Sequence, residues 1–529
     1  MNHFFKFIPK GIRYYSVLTI GLLSLHTEVL QADVKPENEV QIHLYPQQAS
    51  VKINKNIYGQ FAEHLGTCIY GGIWVGPKSD IPNTQGYRND VLEALRNLHI
   101  PVLRWPGGCF ADEYHWMDGI GKPSKRPRMV NTNWGGTIED NSFGTHEFLN
   151  LCELLNIEPY ISGNVGSGTV EEMAKWVEYV NAESDSPMAR LRRKNGRDKA
   201  WNVKYWGVGN ESWGCGGRMT PEYYADVYKR YATYCRTFDG KKLFKIASGA
   251  SSDDYHWTEV LMKKAGRWMN GLSLHYYTVD WNRMKLALDF NADEFYQTIG
   301  RSLEVDKLLQ KHCQIMDKYD PECKVDLILD EWGTWWKEEQ GTVPGHLYQQ
   351  NTLRDAFVAA LSLNVFHKYA PRLSMANIAQ LANVLQAMVL TKGDKMVLTP
   401  TYHIFRMYKV HQDALNVPFD LICRKIKAQG GYEYPSVGVT ASLQNNGKLH
   451  LSLSNIDLSQ SQKVWISLDD INAKQVTGEI LTSADIHDHN TFEAPDKVSP
   501  KEFTDCRLEN GKLLIMLPAH SIVSLEITK

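Results

Sequence analysis

Tyr205-Trp206-Gly207-Val208-Gly209-Asn210-Glu211 closes an apolar run that starts at Trp201, and Gly209 breaks the run just before a carboxylate. A run of this length bounded by glycine reads as a buried strand. Asn210 and Glu211 then stand at its C-terminal end, where a parallel α/β barrel carries its chemistry. Alone, Glu211 reads as an acid leading into the next element. A second acid-tipped strand, Lys324-Val-Asp-Leu-Ile-Leu-Asp-Glu331-Trp332-Gly333, changes that reading.

Working outward, short apolar or glycine-bounded runs recur at 58–64, 102–108, 159–164, 204–211, 243–249, 272–277, 325–332 and 376–381. Helical patterns lie between them at 90–98, 146–155, 170–180, 221–238, 303–319 and 351–369, with Thr220-Pro221 as a cap followed by proline at the first helical position. Strand and helix alternating eight times predict a (β/α)8 TIM barrel over residues 57–414, with a doubly wound open sheet as the alternative. After a helical pattern at 402–410, the runs from Val437, Leu449, Lys463, Lys512 and Ser521 alternate at period two, with Asn445-Asn446-Gly447 and Glu509-Asn510-Gly511 as turns. This predicts a C-terminal all-β sandwich, jelly-roll-like, over 415–529. The alternating residues of 40–53 share its texture, so 33–56 is expected to join it. The basic run 190–199 reads as a solvated loop.

Residues 1–32 carry Lys6, Lys10 and Arg13, then an apolar stretch at 14–25 shorter than a membrane span, then Ala32. This order predicts a signal peptide and a periplasmic or secreted protein, with a retained anchor as the alternative because Leu30 spoils the cleavage site. Apart from that export signal no membrane segment is expected. The net charge of -2 and the lack of a basic stripe argue against nucleic acid. Nine scattered cysteines form no disulfide framework, although Cys313 and Cys323 are placed to bridge. Without C-x-x-C or H-E-x-x-H, no zinc site and no other metal or cofactor is expected. The glycines near 163–168 and 214–217 lack dinucleotide spacing, and the sequon Asn210-Glu-Ser212 lies on a predicted pocket floor.

In the eight-strand count Glu211 and Glu331 end strands four and seven, so barrel closure brings both to one face. Two carboxylates in one pocket suit glycosidic bond cleavage, one protonating the leaving oxygen and the other attacking the anomeric carbon. Asp330 rivals Glu331 as nucleophile, since strand alternation turns one of the two away. Of the tryptophans at strand ends and loops, 74, 105, 116, 134, 213, 332, 335 and 336, about half are expected to be core and the rest sugar-stacking surfaces.

The strings Gly207-Val-Gly-Asn-Glu-Ser-Trp213 and Leu329-Asp-Glu-Trp332, with Phe61-Ala-Glu-His-Leu-Gly66, Arg104-Trp-Pro-Gly-Gly-Cys109 and Ser273-Leu-His-Tyr-Tyr277, resemble glycoside hydrolase family 51, the α-L-arabinofuranosidases. The resemblance runs from about residue 53 to the C-terminus. It implies a barrel plus a β-sandwich, metal-free retaining hydrolysis, and exo-release of arabinofuranosyl residues from arabinan, arabinoxylan or their oligosaccharides. An endoglucanase or xylanase on the same barrel is the alternative, and a sugar-binding protein without catalysis a third reading. The resemblance also implies Glu211 as acid/base and Glu331 as nucleophile. It places Asn210 on the sugar 2-hydroxyl, Arg104 and Tyr277 on the nucleophile, Glu63 on outer hydroxyls, Trp335 and Gln380 along the subsite, and His275 behind them. Cys109 stands where some members have asparagine, so either its thiol contacts sugar or it fills a tight turn. The resemblance leaves room for a homo-oligomer.

Overall fold

The computed structural model describes residues 39–468, 473–509 and 511–528. The segment 1–32, on which the signal peptide is predicted, lies outside them. Eight parallel strands close into a barrel in sequential order: β1 (Gly59–Phe61), β2 (Val102–Trp105), β3 (Glu158–Gly163), β4 (Tyr205–Val208), β5 (Phe244–Ser251), β6 (Gly271–Thr278), β7 (Asp326–Thr334) and β8 (Leu373–Ala379). Closure excludes the open-sheet alternative. Each predicted run overlaps one of these strands. They read as apolar runs because barrel strands are covered on both faces, so β4 is buried at all four positions.

Inside the barrel Val102, Tyr160, Tyr205, Ile246, Ile328 and Met375, from six different strands, pack as one cluster. Such a side-chain layer makes the barrel a filled core rather than a pore, so ligands have access only at the strand ends.

Helices α1 (Asn89–Leu98), α2 (Thr145–Leu155), α3 (Val170–Asn181), α4 (Pro187–Lys194), α5 (Pro221–Tyr234), α6 (Tyr255–Ala265), α7 (Ala292–Tyr319), α8 (Leu353–Lys368) and α9 (Pro400–Tyr408) follow. The Thr220 side chain accepts from the Tyr223 amide, with Pro221 in the first turn, so α5 starts where the cap signal puts it. Three helical features depart from expectation. The basic run is partly α4, capped by Ser186, and Arg192 is buried with its guanidinium donating to the carbonyls of Tyr179 and Ala182 at 2.8 and 2.7 Å. Helix α6 falls in a stretch given no element. Helix α7 begins at Ala292 rather than 303 because Asn291 and Glu294 form a capping box upstream of the apolar pattern.

The C-terminal strands form two sheets. In one, Glu39–Leu44 pairs antiparallel with Phe419–Ile422 and parallel with Gln462–Leu468. The other runs through Val437–Leu443, Leu449–Asn455, Ser521–Thr528 and Gln475–Leu481. Their facing sides share a core that includes Ile42, Leu451, Ile466 and Leu525. Helix α8 is buried on nearly every side, as an apolar helix with no solvent face must be. His367 near its end reaches Tyr58 Oη and Thr440 Oγ1 at 2.9 and 2.8 Å, linking barrel to sandwich.

Between β5 and β6 the strands approach so closely that a Cβ on Gly249 would lie 1.6 Å from the Ser273 carbonyl oxygen. A backbone oxygen cannot swing aside as a side chain can. Gly249→Ala is therefore expected to destabilise the fold by at least about 2 kcal/mol, read as a lower denaturation midpoint at unchanged slope. An unchanged midpoint would show that β6 shifts freely.

Candidate active site

Beyond β4 the chain turns at Gly209, whose φ of 89° favours glycine, and Glu211 itself adopts a left-handed φ of 39°. A non-glycine residue there carries about 1–3 kcal/mol of strain, which its surroundings must hold. They do so from both sides. The Glu211 carbonyl accepts the amides of Gly214 and Gly216 at 2.7 and 3.1 Å. The Asn210 amide donates to Asp112 Oδ2 at 3.0 Å, while Asp112 Oδ1 accepts the amides of Val165 and Gly166. Asp112 is thus a buried clasp for three loops. Its sequence signal, one acid in a short turn after β2, is too weak to single out.

Strand β7 brings Glu331 to the same end. A carboxylate oxygen of Glu211, a ring nitrogen of His275 and a carboxylate oxygen of Glu331 all lie within 4.8 Å of one another. Arg104 Nη1 donates to Glu331 Oε1 at 2.8 Å, and Tyr277 Oη donates to Oε2 at 2.8 Å. Arg104 Nη2 donates to Asn210 Oδ1 at 2.6 Å, so one guanidinium fixes both the amide and the carboxylate. Buried and planar, it holds the two partners at a set angle.

Strand alternation was expected to turn either Asp330 or Glu331 away from the pocket, and Asp330 is the one kept from it, though not by alternation. Instead the β6–β7 register shifts between Ser273↔Ile328 and His275↔Glu331, an extra residue on β7 that breaks the alternation. Asp330 Oδ1 lies 2.9 Å from His275 Nε2, and Tyr160 Oη donates to Oδ2 at 2.7 Å. His275 Nδ1 is 2.9 Å from Glu211 Oε1 and 3.5 Å from Glu331 Oε2. With His275, Tyr160 and the Arg104 guanidinium as partners and 2% exposure, Asp330 is shut away from any sugar.

Protonation follows from these contacts. Burial raises the Glu211 carboxyl above its usual range, and the charge of Glu331 adds to it, while the His275 bond opposes. Burial alone would lower His275, but the charges of Glu331 and Asp330 outweigh it and push the imidazole up to about 10. As an imidazolium, His275 donates from both nitrogens. Glu211 Oε1 is then an acceptor, which leaves Oε2 to carry the proton. Burial and the Tyr277–Glu331 contact keep the Tyr277 phenol protonated.

A narrow cavity above these groups is lined by Glu63, Cys109, Trp134, Tyr277, Trp335 and Gln380. Glu63 Oε1 accepts the Phe110 amide and Trp134 Nε1, both at 3.0 Å, and Oε2 accepts Gln380 Nε2 at 3.1 Å. Burial, then the charge of Glu331, raises Glu63 to about 7. The Trp335 ring meets Tyr277 edge-on at 5.0 Å and Trp281 at 5.2 Å. Trp281, 61% exposed on the rim, was not singled out in the sequence. Among the other tryptophans, Trp74, Trp105, Trp116, Trp332 and Trp336 are core, while Trp134 and Trp335 reach the cavity.

The cysteine expectations need correcting. Cys109 is joined to Cys215 in a disulfide with Cα atoms 5.5 Å apart, so it presents no thiol to a sugar, and Cys313 and Cys323 are unbridged. Two sets of side chains have metal-ligand proximity. In Cys109–Glu211–Cys215 both sulfurs are spent in the disulfide. In Glu211–His275–Glu331 the ligating atoms already hold one another by charge and hydrogen bonds.

Residues 94–294 match the profile described as α-L-arabinofuranosidase 1 domain, and 330–521 that described as α-L-arabinofuranosidase C-terminal domain. A curated relative from Bacteroides ovatus, named an intracellular exo-α-L-arabinofuranosidase, is 62% identical over 96% of this chain and 99% of its own. The crystal structure of a GH51 arabinofuranosidase from Xanthomonas axonopodis pv. citri is 50% identical, covers 93% of this chain and 100% of its own, and superposes with a TM-score of 0.91. The chain belongs to glycoside hydrolase family 51, the α-L-arabinofuranosidases. It is a glycoside hydrolase, and the endoglucanase or xylanase alternative is not favoured. An α-L-arabinofuranosidase from Thermotoga maritima, solved as an arabinose complex, is 31% identical over 92% of this chain and 99% of its own, with a TM-score of 0.79. One expectation is overturned here. The Bacteroides relative, nearly full length, is named intracellular, against the periplasmic or secreted location drawn from the N-terminal segment. Among the described residues no helix is long and apolar enough to cross a membrane.

Proposed function

We propose that this family 51 enzyme removes single terminal α-L-arabinofuranosyl residues from arabinan, arabinoxylan or their oligosaccharides, with retention of configuration. Glu211 is the acid/base and Glu331 the nucleophile. Glu211 Oε2 gives its proton to the glycosidic oxygen as Glu331 attacks the anomeric carbon. The C–O bond breaks, and a glycosyl ester forms on Glu331. Once that ester has removed the charge on Glu331, Glu211 ionises more readily and takes a proton from the water that hydrolyses the ester. The observation that carries this reading is that one oxygen of each carboxylate lies within 4.8 Å of the other, which fits the close carboxyl pair of a retaining site better than the roughly 6.5–9.5 Å gap that inversion needs for water.

Asn210, held by Arg104, takes the 2-hydroxyl. Glu63, fixed by Gln380 and Trp134, takes outer hydroxyls, and Trp335 with Trp281 forms the lip for the leaving sugar. The narrow cavity favours one terminal sugar over a passing chain. The barrel, 57–414, carries the chemistry, and the sandwich, 415–529 with strands from 33–56, covers α8. Proton NMR of the first-formed product from an aryl α-L-arabinofuranoside tests the reading. The α-anomer is expected first; the β-anomer would overturn it.

The pH profile has a defined sign. Glu211 acts in its protonated form and its pKa is raised, so kcat/KM on substrates with poor leaving groups should fall on the alkaline side as Glu211 ionises. On substrates that need no acid, that fall should be much smaller. Equal alkaline limbs on both would assign the limb to another group.

A further inference from the structure

We propose that the Cys109–Cys215 pair is a reversible thiol–disulfide modification site that controls the acid Glu211. The inference rests on the acid/base reading of Glu211. Its basis is position. Cys215 Sγ lies 3.5 Å and Cys109 Sγ 4.0 Å from Glu211 Oε2, the oxygen left free by His275. The bridge joins the loop after β2 to the loop after β4, 106 residues apart in sequence. On the β4 side it is anchored four residues from Glu211, inside the turn that holds this residue in its left-handed conformation. The disulfide is therefore a covalent brace on the catalytic turn and a wall of the sugar cavity.

Access sets this pair apart from the buried cysteines, and its place beside Glu211 sets it apart from the exposed Cys323. Cys215 is exposed and bridged to Cys109 of the cavity lining, whereas Cys68, Cys152 and Cys235 are buried thiols raised by burial, Cys68 to about 11 and Cys235 to about 12. A thiolate attacks whichever sulfur it can reach, and here that is Cys215. A small dithiol supplies the two electrons. One of its thiolates bonds to Cys215 Sγ, the Cys109–Cys215 bond breaks, and Cys109 leaves as a thiolate that takes a proton. The second thiol of the reductant, deprotonated, attacks the mixed disulfide and releases Cys215, which is protonated in turn, while the reductant closes to a cyclic disulfide.

The two states differ at Glu211. An oxidised sulfur has no proton to donate, so the bridge leaves Oε2 to hold its own. Reduction sets two S–H donors beside Oε2, and donors to a carboxylate favour the ionised form. It also frees the brace. The other charged and titratable groups facing Glu211 are His275 and Tyr277 on β6, Glu331 on β7 and Arg104 on β2, and opening the bridge adds no charge among them. Reduction therefore lowers the Glu211 pKa and weakens the acid.

The test uses the intact enzyme with and without dithiothreitol, counting thiols under native conditions and assaying aryl arabinofuranosides of good and poor leaving group. The expected result is two additional thiols and an alkaline limb moved about one pH unit towards acid. With it goes a roughly tenfold loss above that limb on the poor substrate. The loss on the good one should be smaller, and oxidised dithiothreitol should restore activity. A Cys109→Ser/Cys215→Ser variant should resemble the reduced enzyme and ignore the dithiol. Two new thiols with unchanged rates would overturn the proposal, as would a bridge that opens only on denaturation. Failure of the acid/base reading looks different: Glu211→Ala would then lose equally on all leaving groups, whatever the thiol count.

Discussion

Glu331→Ala is expected to lose about four to six orders of magnitude in kcat, because removing the atom that attacks carbon leaves only binding and electrostatics to act. The substitution also leaves Arg104 Nη1 and the Tyr277 hydroxyl without their carboxylate acceptor. The cavity that results is small and polar, suited to an anion. Added azide should therefore enter beside Arg104 and attack the anomeric carbon from the side Glu331 occupied. The product is a β-arabinofuranosyl azide, formed with inversion because no second displacement follows. Rescue rates with a good leaving group, and the azide's configuration by NMR, check both parts. An α-azide would place the lost nucleophile elsewhere. Full activity in Glu331→Ala would return Asp330 to candidacy, against its burial behind His275 and Tyr160.

How much of this was legible beforehand depended on what each feature needs. The eight barrel strands were readable because burial on both faces forces a continuous apolar run, and β7 shows it at eight of nine positions. The two glutamates were readable because glycine breaks mark the strand ends. Helix α4 was not, since its sequence is mostly basic and only its cap and the buried Arg192 make it a helix. Asp330 does lie away from the cavity, but the cause differs from simple alternation: a register shift on β7, invisible in composition, tucks it beneath His275. The Cys109–Cys215 bridge was hidden for a different reason. Its partners sit on loops after β2 and β4, and no spacing rule connects two cysteines that meet only through barrel closure. Asp112 joins three loops by the same closure.

Glu211→Ala should separate the two halves of the reaction. With a leaving group as good as dinitrophenolate, the first bond breaks without a proton, so Glu331 is still glycosylated at a rate near that of the parent enzyme. The second half then slows by about 10²–10⁴-fold, because no base takes the water's proton. The glycosyl-enzyme accumulates, kcat falls, and KM falls with it, giving a burst of dinitrophenolate whose size equals the enzyme concentration. With a poor leaving group the first half is itself slowed by a similar factor, and the burst disappears. Azide needs no base, and it should attack the accumulated ester to give an α-azide, the opposite anomer to that from Glu331→Ala. Two azides of opposite configuration from two single substitutions would be hard to obtain unless the carboxylates stand on opposite sides of the scissile bond. A uniform loss across leaving groups, with no burst, would instead make Glu211 a structural anchor of its strained turn.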